Sequence, residues 1–395
     1  MFQMAHDWEI LRLGAVAEIY DGPHATPHKT DSGPWYLSIS SLIRGRVQLS
    51  ESAHLSPEDF PKWTRRVQPT PGDTLFSYET RIGDAAHWSI DSPAALGRRM
   101  GLLRPRPNVD PRFLTYAYLG DEFQGELRRR TIHGATVDRL AISEMPDWPI
   151  RIPPIAEQRR IAGVLGALDD LIDTNEQLKE LLSGLQDALF SELVEASRSS
   201  IDFGSLAEQV KVRAGVDPEI AYLGLEHFAE NGRGISTAGR LGDTVSQQYA
   251  FESGDILYGR LRPYFRKVDR PGFSGACSGE IWVLRPRNDV PSSFLHSLVA
   301  SQRFTDFAMA GSGGTHMPRA RWDHVSTLSV PFPSAEQLAR FDSIAEPLWE
   351  QSVALAEEID VLRRTRDELL PLLMSGKVRV SSDEVADQDV QEGAE

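Results

Sequence analysis

Two stretches of the chain repeat apolar positions at spacings of three and four residues. In the first, Ile161, Leu165, Leu168, Ile172, Asn175, Leu178, Leu182, Leu185 and Leu189 form a narrow stripe. In the second, Phe341, Ile344, Leu348, Leu355, Ile359, Leu362, Leu369 and Leu373 do the same. This period predicts two long amphipathic helices of coiled-coil type. Each runs for roughly 40 residues, or on the order of 60 Å at about 1.5 Å per residue. Both begin just past prolines, at Pro153-Pro154 and at Pro331 and Pro333, which suit a helix start but not its interior. An apolar stripe needs cover, and the two helices are each other's nearest candidates. Taken singly, either stripe reads equally as ordinary bundle core. Asn175 either fixes register at a seam position or marks a break between two shorter helices.

Between these helices the pattern changes to short strands and turns. Pro34–Ser40 and Ile220–Leu225 are strand candidates, as are Leu102-Leu103 and Trp282–Leu284, while Gly72-Asp73 and Gly254-Asp255 read as turns. The expected class is α+β, with domains alternating with helices.

The two halves also repeat each other. Pro71-Gly72-Asp73-Thr74-Leu75-Phe76 matches Ser253-Gly254-Asp255-Ile256-Leu257-Tyr258, and Leu103-Arg104-Pro105-Arg106 matches Leu284-Arg285-Pro286-Arg287. Phe113-Leu114 matches Phe294-Leu295, Gly134-Ala135-Thr136 matches Gly313-Gly314-Thr315, and Ala156-Glu157-Gln158 matches Ala335-Glu336-Gln337. Five anchors in one order at a nearly constant offset define an internal repeat with pseudo-two-fold character. The expected division is a first domain over 1–152, a first helix over 153–197, a second domain over 198–330, a second helix over 331–380 and a tail over 381–395. The tail has six carboxylates and no cation, so it is expected to be solvated and unstructured.

Composition sharpens this picture in three places. The formal net charge is −15, which by itself argues against a polyanionic partner. That excess, however, lies in the helices and the tail. Residues 1–155 carry 18 cations against 19 carboxylates, and residues 196–334 carry 15 against 14. The single cysteine, Cys277, rules out an internal disulfide or a cysteine-based zinc site within one chain. No 18-residue apolar run or signal-peptide core is present, so the expected setting is the cytoplasm, with no membrane partner.

The basic residues cluster near loops. The first domain has Arg44 and Arg46, Arg65 and Arg66, Arg81, Arg98 and Arg99, and Arg128–Arg130, followed by His133 and Thr136. The second has Arg260, Arg262, Tyr264, Arg266 and Lys267 just after its Gly-Asp turn, then Gly311–His316, with Thr315 and His316, and then Arg319 and Arg321. Arginine holds phosphate or bridges guanine bidentately, and cations interleaved with aromatics suit a nucleic-acid surface. From these clusters the candidate DNA contacts are Arg44, Arg81, Arg98, Arg99, Arg130, His133, Thr136, Arg260, Arg262, Tyr264, Lys267, Thr315, His316 and Arg319. Any one of them alone reads as well as a solvated or ion-paired surface group. His24 and His28 have helical ligand spacing but no third ligand, so no metal is expected. No phosphate-binding lysine loop, glycine-rich dinucleotide turn or amino-methyltransferase motif is present.

The ordered anchors, with the starts Ile152-Pro153-Pro154-Ile155-Ala156-Glu157-Gln158 and Val330-Pro331-Phe332-Pro333-Ser334-Ala335-Glu336-Gln337, resemble the specificity subunits of type I restriction–modification systems. The resemblance covers about residues 8 to 380. It implies two target-recognition domains, each reading one half of a bipartite double-stranded DNA target, and two antiparallel spacer helices that set the gap. It also implies two methyltransferase subunits and restriction subunits as partners. Catalysis, S-adenosylmethionine, ATP and Mg would then belong to those partners, with no cofactor in this chain. The second helix departs from the first at Leu338-Ala339 and contains Pro347, so unequal partner contacts are expected. Two other functions fit the same elements. One is a restriction or modification enzyme complete in one chain, against which the missing catalytic motifs argue. The other is a coiled-coil scaffold with two protein-binding domains.

Overall fold

The computed structural model describes residues 8–381 except 44, 135–136, 216, 230–233, 236–237, 244–247, 288 and 314–316. The acidic tail beyond Ser381 therefore lies outside the described residues. The chain divides into two compact units, one formed by Met1–Ile172 with Val361–Glu395 and the other by Asp173–Asp360. Each unit holds one domain together with the adjoining stretch of each long helix, Ile155–Ala196 and Ala335–Met374.

In the first unit, the strand entering the domain, Glu9–Arg12, pairs antiparallel with the strand leaving it, Pro149–Ile152. Pro153 and Pro154 have no N–H to extend that ladder, so the chain turns directly into the long helix. Inside lies an antiparallel sheet in the order Ala17–Asp21, Met100–Pro105, Thr74–Ser77, Ala85–His87. A second sheet has Thr30–Leu37 parallel to Ala94–Leu96 and antiparallel to Ala53–His54. Helices Pro111–Leu119 and Asp121–Arg130 close the core around Phe76, Phe113, Tyr118 and Trp148.

The second unit repeats this plan. Ser199–Asp202 pairs with Ser329–Phe332, and the central sheet runs Ala207–Val210, Ile281–Pro286, Ile256–Gly259, Val268–Asp269. Ala221–Leu223 lies parallel to Gly275–Ser278, and helices Ser292–Ala300 and Gln302–Ala310 cover Tyr258, Trp282, Phe294 and Phe304. Cys277 is fully buried in this second sheet, and burial pushes its thiol up to about 12. The reactive thiolate is therefore absent at neutral pH. Cys277 is expected to resist a thiol reagent in the native protein and to react at the rate of unfolding when urea is added; rapid labelling without urea would contradict this burial.

The repeated sequence anchors have one structural meaning. Gly72 and Gly254 take φ of +102° and +87°, a conformation that disfavours any side chain. The aspartate that follows each is buried and clamped by the arginine of the Leu-Arg-Pro-Arg segment. Arg104 donates to Asp73 at 2.9 and 2.7 Å, and Arg285 donates to Asp255 at 2.7 and 2.8 Å. The same carboxylates accept from the backbone of Thr70 and Glu252, both at 2.8 Å. The second arginine of each segment donates its Nε to the carbonyl of Gly14 or of Ala207, both at 3.1 Å. These arginines hold the domain together and leave other cations for contacts outside it.

The long helices pair antiparallel in both units. In the first, Ile161 and Leu165 share a core with Leu373 and Leu369, and Asp169 accepts from Arg366 at 2.9 Å and from Tyr116 at 2.7 Å. In the second, Phe190 meets Phe341 with ring centroids 6.4 Å apart. The predicted stripes need one correction. Leu178 and Leu185 are 39% and 48% exposed and Ile344 is 41% exposed, while Gln186, Phe190 and Ala345 are buried in their stead. A straight helix drifts against a strict seven-residue seam, so the seam moves on by one position. Asn175 remains buried inside an unbroken helix, its Nδ2 without a partner among the described residues. The second domain also docks on the second helix, through Arg270 to Glu346 at 2.6 and 2.8 Å and over the face of Trp349 at 3.7 Å.

Candidate nucleic-acid interface

Each domain brings three loops together at one end of its central sheet. In the first domain these are the loop after Thr74–Ser77, the turn before Met100–Pro105 and the segment after helix Asp121–Arg130. Backbone bonds tie them: Tyr78 N donates to Arg99 O at 3.1 Å, Leu140 N to Tyr78 O at 2.9 Å and Thr80 N to Asp138 O at 3.3 Å. The second domain repeats the set, with Arg260 N donating to Glu280 O at 2.9 Å, Ala320 N to Arg260 O at 2.8 Å and Arg262 N to Pro318 O at 2.7 Å. Thr80 and Arg262, at matching places in this pattern, both have positive φ, +68° and +50°. Backbone strain of this kind costs about 1–3 kcal/mol and persists only where surrounding contacts hold it.

Seven of the candidate residues gather at these junctions: Arg81, Arg98, Arg99 and His133 in the first domain and Arg260, Arg262 and Arg319 in the second. Their surroundings differ. Arg81 pairs with Asp84 through Nε at 2.5 Å and donates its two terminal nitrogens to the carbonyls of Ile39 and Leu42 at 3.1 and 2.9 Å. All of its nitrogens are engaged within the domain. Arg98 is exposed. Arg99 pairs with Glu79 at 2.9 Å, and His133 lies 3.1 Å from Asp138. In the second domain Glu280 sits between Arg260, at 3.5 Å, and Arg319, at 3.1 Å.

Other candidates stand apart from the junctions. Arg130 pairs with Glu126 and lies 5.4 Å over the Trp148 ring, and Lys267 donates to the Leu225 carbonyl at 2.6 Å. Tyr264 is exposed beside Phe265, with ring centroids 4.6 Å apart. Arg44, Thr136, Thr315 and His316 lie outside the described residues. Glu79, Glu280 and Arg139 also belong to the junctions; a search for cations passes over the two glutamates, and Arg139 stands alone in the sequence outside the basic clusters. Aligning the two halves at the turn before each central strand would have set Arg99 against Glu280 and drawn attention to the pair. Among the described residues, no group of three or more His, Cys, Asp or Glu is placed to hold a metal, and no helix is long and apolar enough to cross a membrane.

Residues 5–183 match the family model described as the type I restriction modification DNA specificity domain. The doubled domain plan and the paired helices extend that likeness along the chain. Along its length the chain is similar to type I specificity subunits. Among its relatives is the putative type I restriction enzyme MjaX specificity subunit of Methanocaldococcus jannaschii, 24% identical over 96% of each chain. Another is the type I restriction enzyme EcoDI specificity subunit of Escherichia coli, 21% identical over 64% of this chain and 67% of that one. In fold it is similar to the crystal structure of the type I restriction–modification S subunit from M. genitalium, with TM-score 0.60, 16% identity, and coverage of 94% of this chain and 98% of that one. That likeness is one of fold and spans both domains and the long helices.

Proposed function

We propose that this chain reads DNA sequence for a type I restriction–modification complex, one half of a bipartite target per domain. The observation that carries the reading is the three-loop junction, built twice on the same frame and bearing arginines in both domains. Phosphate contacts would fix each domain on the duplex while side chains reading base edges supply sequence. The clamps Asp73–Arg104 and Asp255–Arg285 lie at the opposite end of the same two strands and support such a role only by fixing the strands from which the loops spring.

The helices would set the separation between half-sites and dock two methyltransferase subunits, with restriction subunits joining the assembly. Leu178, Leu181 and Leu185 are exposed on the first helix, and apolar residues grouped on an acidic face suit a protein partner. Methyl transfer and cleavage, with S-adenosylmethionine, ATP and Mg, would belong to those partners, and this chain would act in the cytoplasm without catalysing a reaction.

A scaffold that grips proteins through the same domains differs in one measurable respect. Fluorescence anisotropy of a labelled duplex with the full chain is expected to show binding whose log affinity falls linearly with log salt, by about 0.9 per phosphate neutralised. Salt-independent association, or none with DNA beside a stable protein complex, would favour the scaffold.

A further inference from the structure

The junctions of the two domains carry the same ion pair with its charges exchanged. The turn residue is Arg99 in the first domain and Glu280 in the second, and each receives a backbone hydrogen bond from its neighbouring loop, from Tyr78 N and Arg260 N. Each also pairs with the opposite charge on that loop, Arg99 with Glu79 and Glu280 with Arg260. Arg319, from the third loop, adds a second cation to Glu280, donating from Nε to both carboxylate oxygens at 3.1 Å.

In all three arginines the paired carboxylate lies on the Nε side, where Arg319 donates hydrogen bonds to it and the Nε of Arg99 and of Arg260 is in an ion pair without a hydrogen bond. Among the described residues, the terminal nitrogens of Arg260 and Arg319 meet no protein acceptor, and those of Arg99 give only one bond, to Thr80 Oγ1 at 3.2 Å. Arg81 beside them is the contrast, with both terminal nitrogens bound to carbonyls. A guanidinium paired on its Nε side keeps its terminal fork for another acceptor, and that fork matches O6 and N7 of guanine. These side chains are about one-third exposed, at 30%, 34% and 41%. They are therefore held yet reachable, and a held side chain loses less rotamer freedom on binding than a free one.

We infer that Arg99 in the first domain, and Arg260 and Arg319 in the second, read guanines through their terminal nitrogens, and that Glu79 and Glu280 are the positioning residues that aim them. The inference rests on the DNA-reading role proposed above. It assigns a G·C pair to each half-site. It also gives the acidic residues of the junction a part in specificity, since they oppose phosphate while orienting the arginines.

The test is selection from a randomised duplex library by the full-length chain. The wild type is expected to enrich a split motif with a fixed G·C pair in each half. Glu280→Gln is expected to lose preference at a G·C position of one half by about tenfold or more, to keep the other half unchanged, and to bind unrelated duplex at least as tightly as the wild type. Glu79→Gln should do the reciprocal, and it keeps the test open if Glu280→Gln fails to fold. A purely structural glutamate would lower thermal stability and all binding together, without raising the share of unrelated duplex bound. Full G·C preference in both variants, or a wild-type half-site without G·C, would overturn the inference while leaving DNA reading intact. Absence of any enriched motif or duplex binding by the wild type would remove the DNA-reading role and the inference with it.

Discussion

Arg270→Ala is expected to lower the stability of the second unit by about 3 kcal/mol, near the lower end for breaking one partner of a buried pair. The side chain is 6% exposed and makes two parallel bonds to Glu346 on the long helix, while its plane lies on Trp349. Its Nε also donates to the carbonyl of Gly254, at 3.2 Å, in the turn that starts the central hairpin. One residue thus joins turn, domain and helix. Glu346 is 30% exposed and can recover some hydration, which limits the loss. Arg270→Lys should recover only part, because an ammonium lacks the planar fork. The comparable bond in the first unit, Arg112 to Asp170, is more exposed, at 36% and 58%, so Arg112→Ala should change stability by less than about 1 kcal/mol. Urea midpoints for the three variants test the ranking; equal shifts for Arg270→Ala and Arg112→Ala would show that burial does not decide it.

Asp255→Asn and Asp73→Asn are expected to cost about 2–4 kcal/mol each in their own units. Each aspartate is at most 4% exposed and accepts from one arginine and from a backbone N–H. Asparagine keeps the shape but loses the charge and turns one acceptor into a donor facing other donors. Thermal denaturation of each variant tests this, and a change below about 0.5 kcal/mol in both would mean that the turn is held by its glycine and not by the clamp.

The parts of this molecule that were legible in its sequence are those governed by periodicity or repetition. The α+β plan and the two long helices follow from apolar spacing and from matched proline starts, while their antiparallel pairing was implied by the resemblance to type I specificity subunits. The seam beyond Asn175 was misplaced by one residue because leucines at 178 and 185 satisfy a seven-residue pattern that the real helix period does not keep. The Leu-Arg-Pro-Arg anchors were visible as a repeat, but their pairing with the buried aspartates joins residues 30 or so apart, which spacing does not reveal.

The candidate site was legible only in outline. Arginine clusters marked the loops, yet Arg81, Arg130 and Lys267 turn out to be bonded to the protein's own carbonyls, carboxylates or rings. Which cation remains available depends on contacts made after folding. Glu79 and Glu280 carried no signal while acidity was counted against DNA binding, although the exchange of charge between Arg99 and Glu280 was present in the aligned halves.

The central claim is that two domains read two half-sites held apart by the helices. The most direct test co-expresses the chain with a methyltransferase subunit of a type I system from its source genome and maps methylated adenines. It then repeats the map after inserting four residues beside Thr174. The account predicts one split motif with a fixed gap, and in the insertion variant the same half-sites with a gap longer by about two base pairs, since four helical residues add roughly 6 Å against about 3.4 Å per base pair. Methylation at a continuous motif, or a gap unchanged by the insertion, would contradict it.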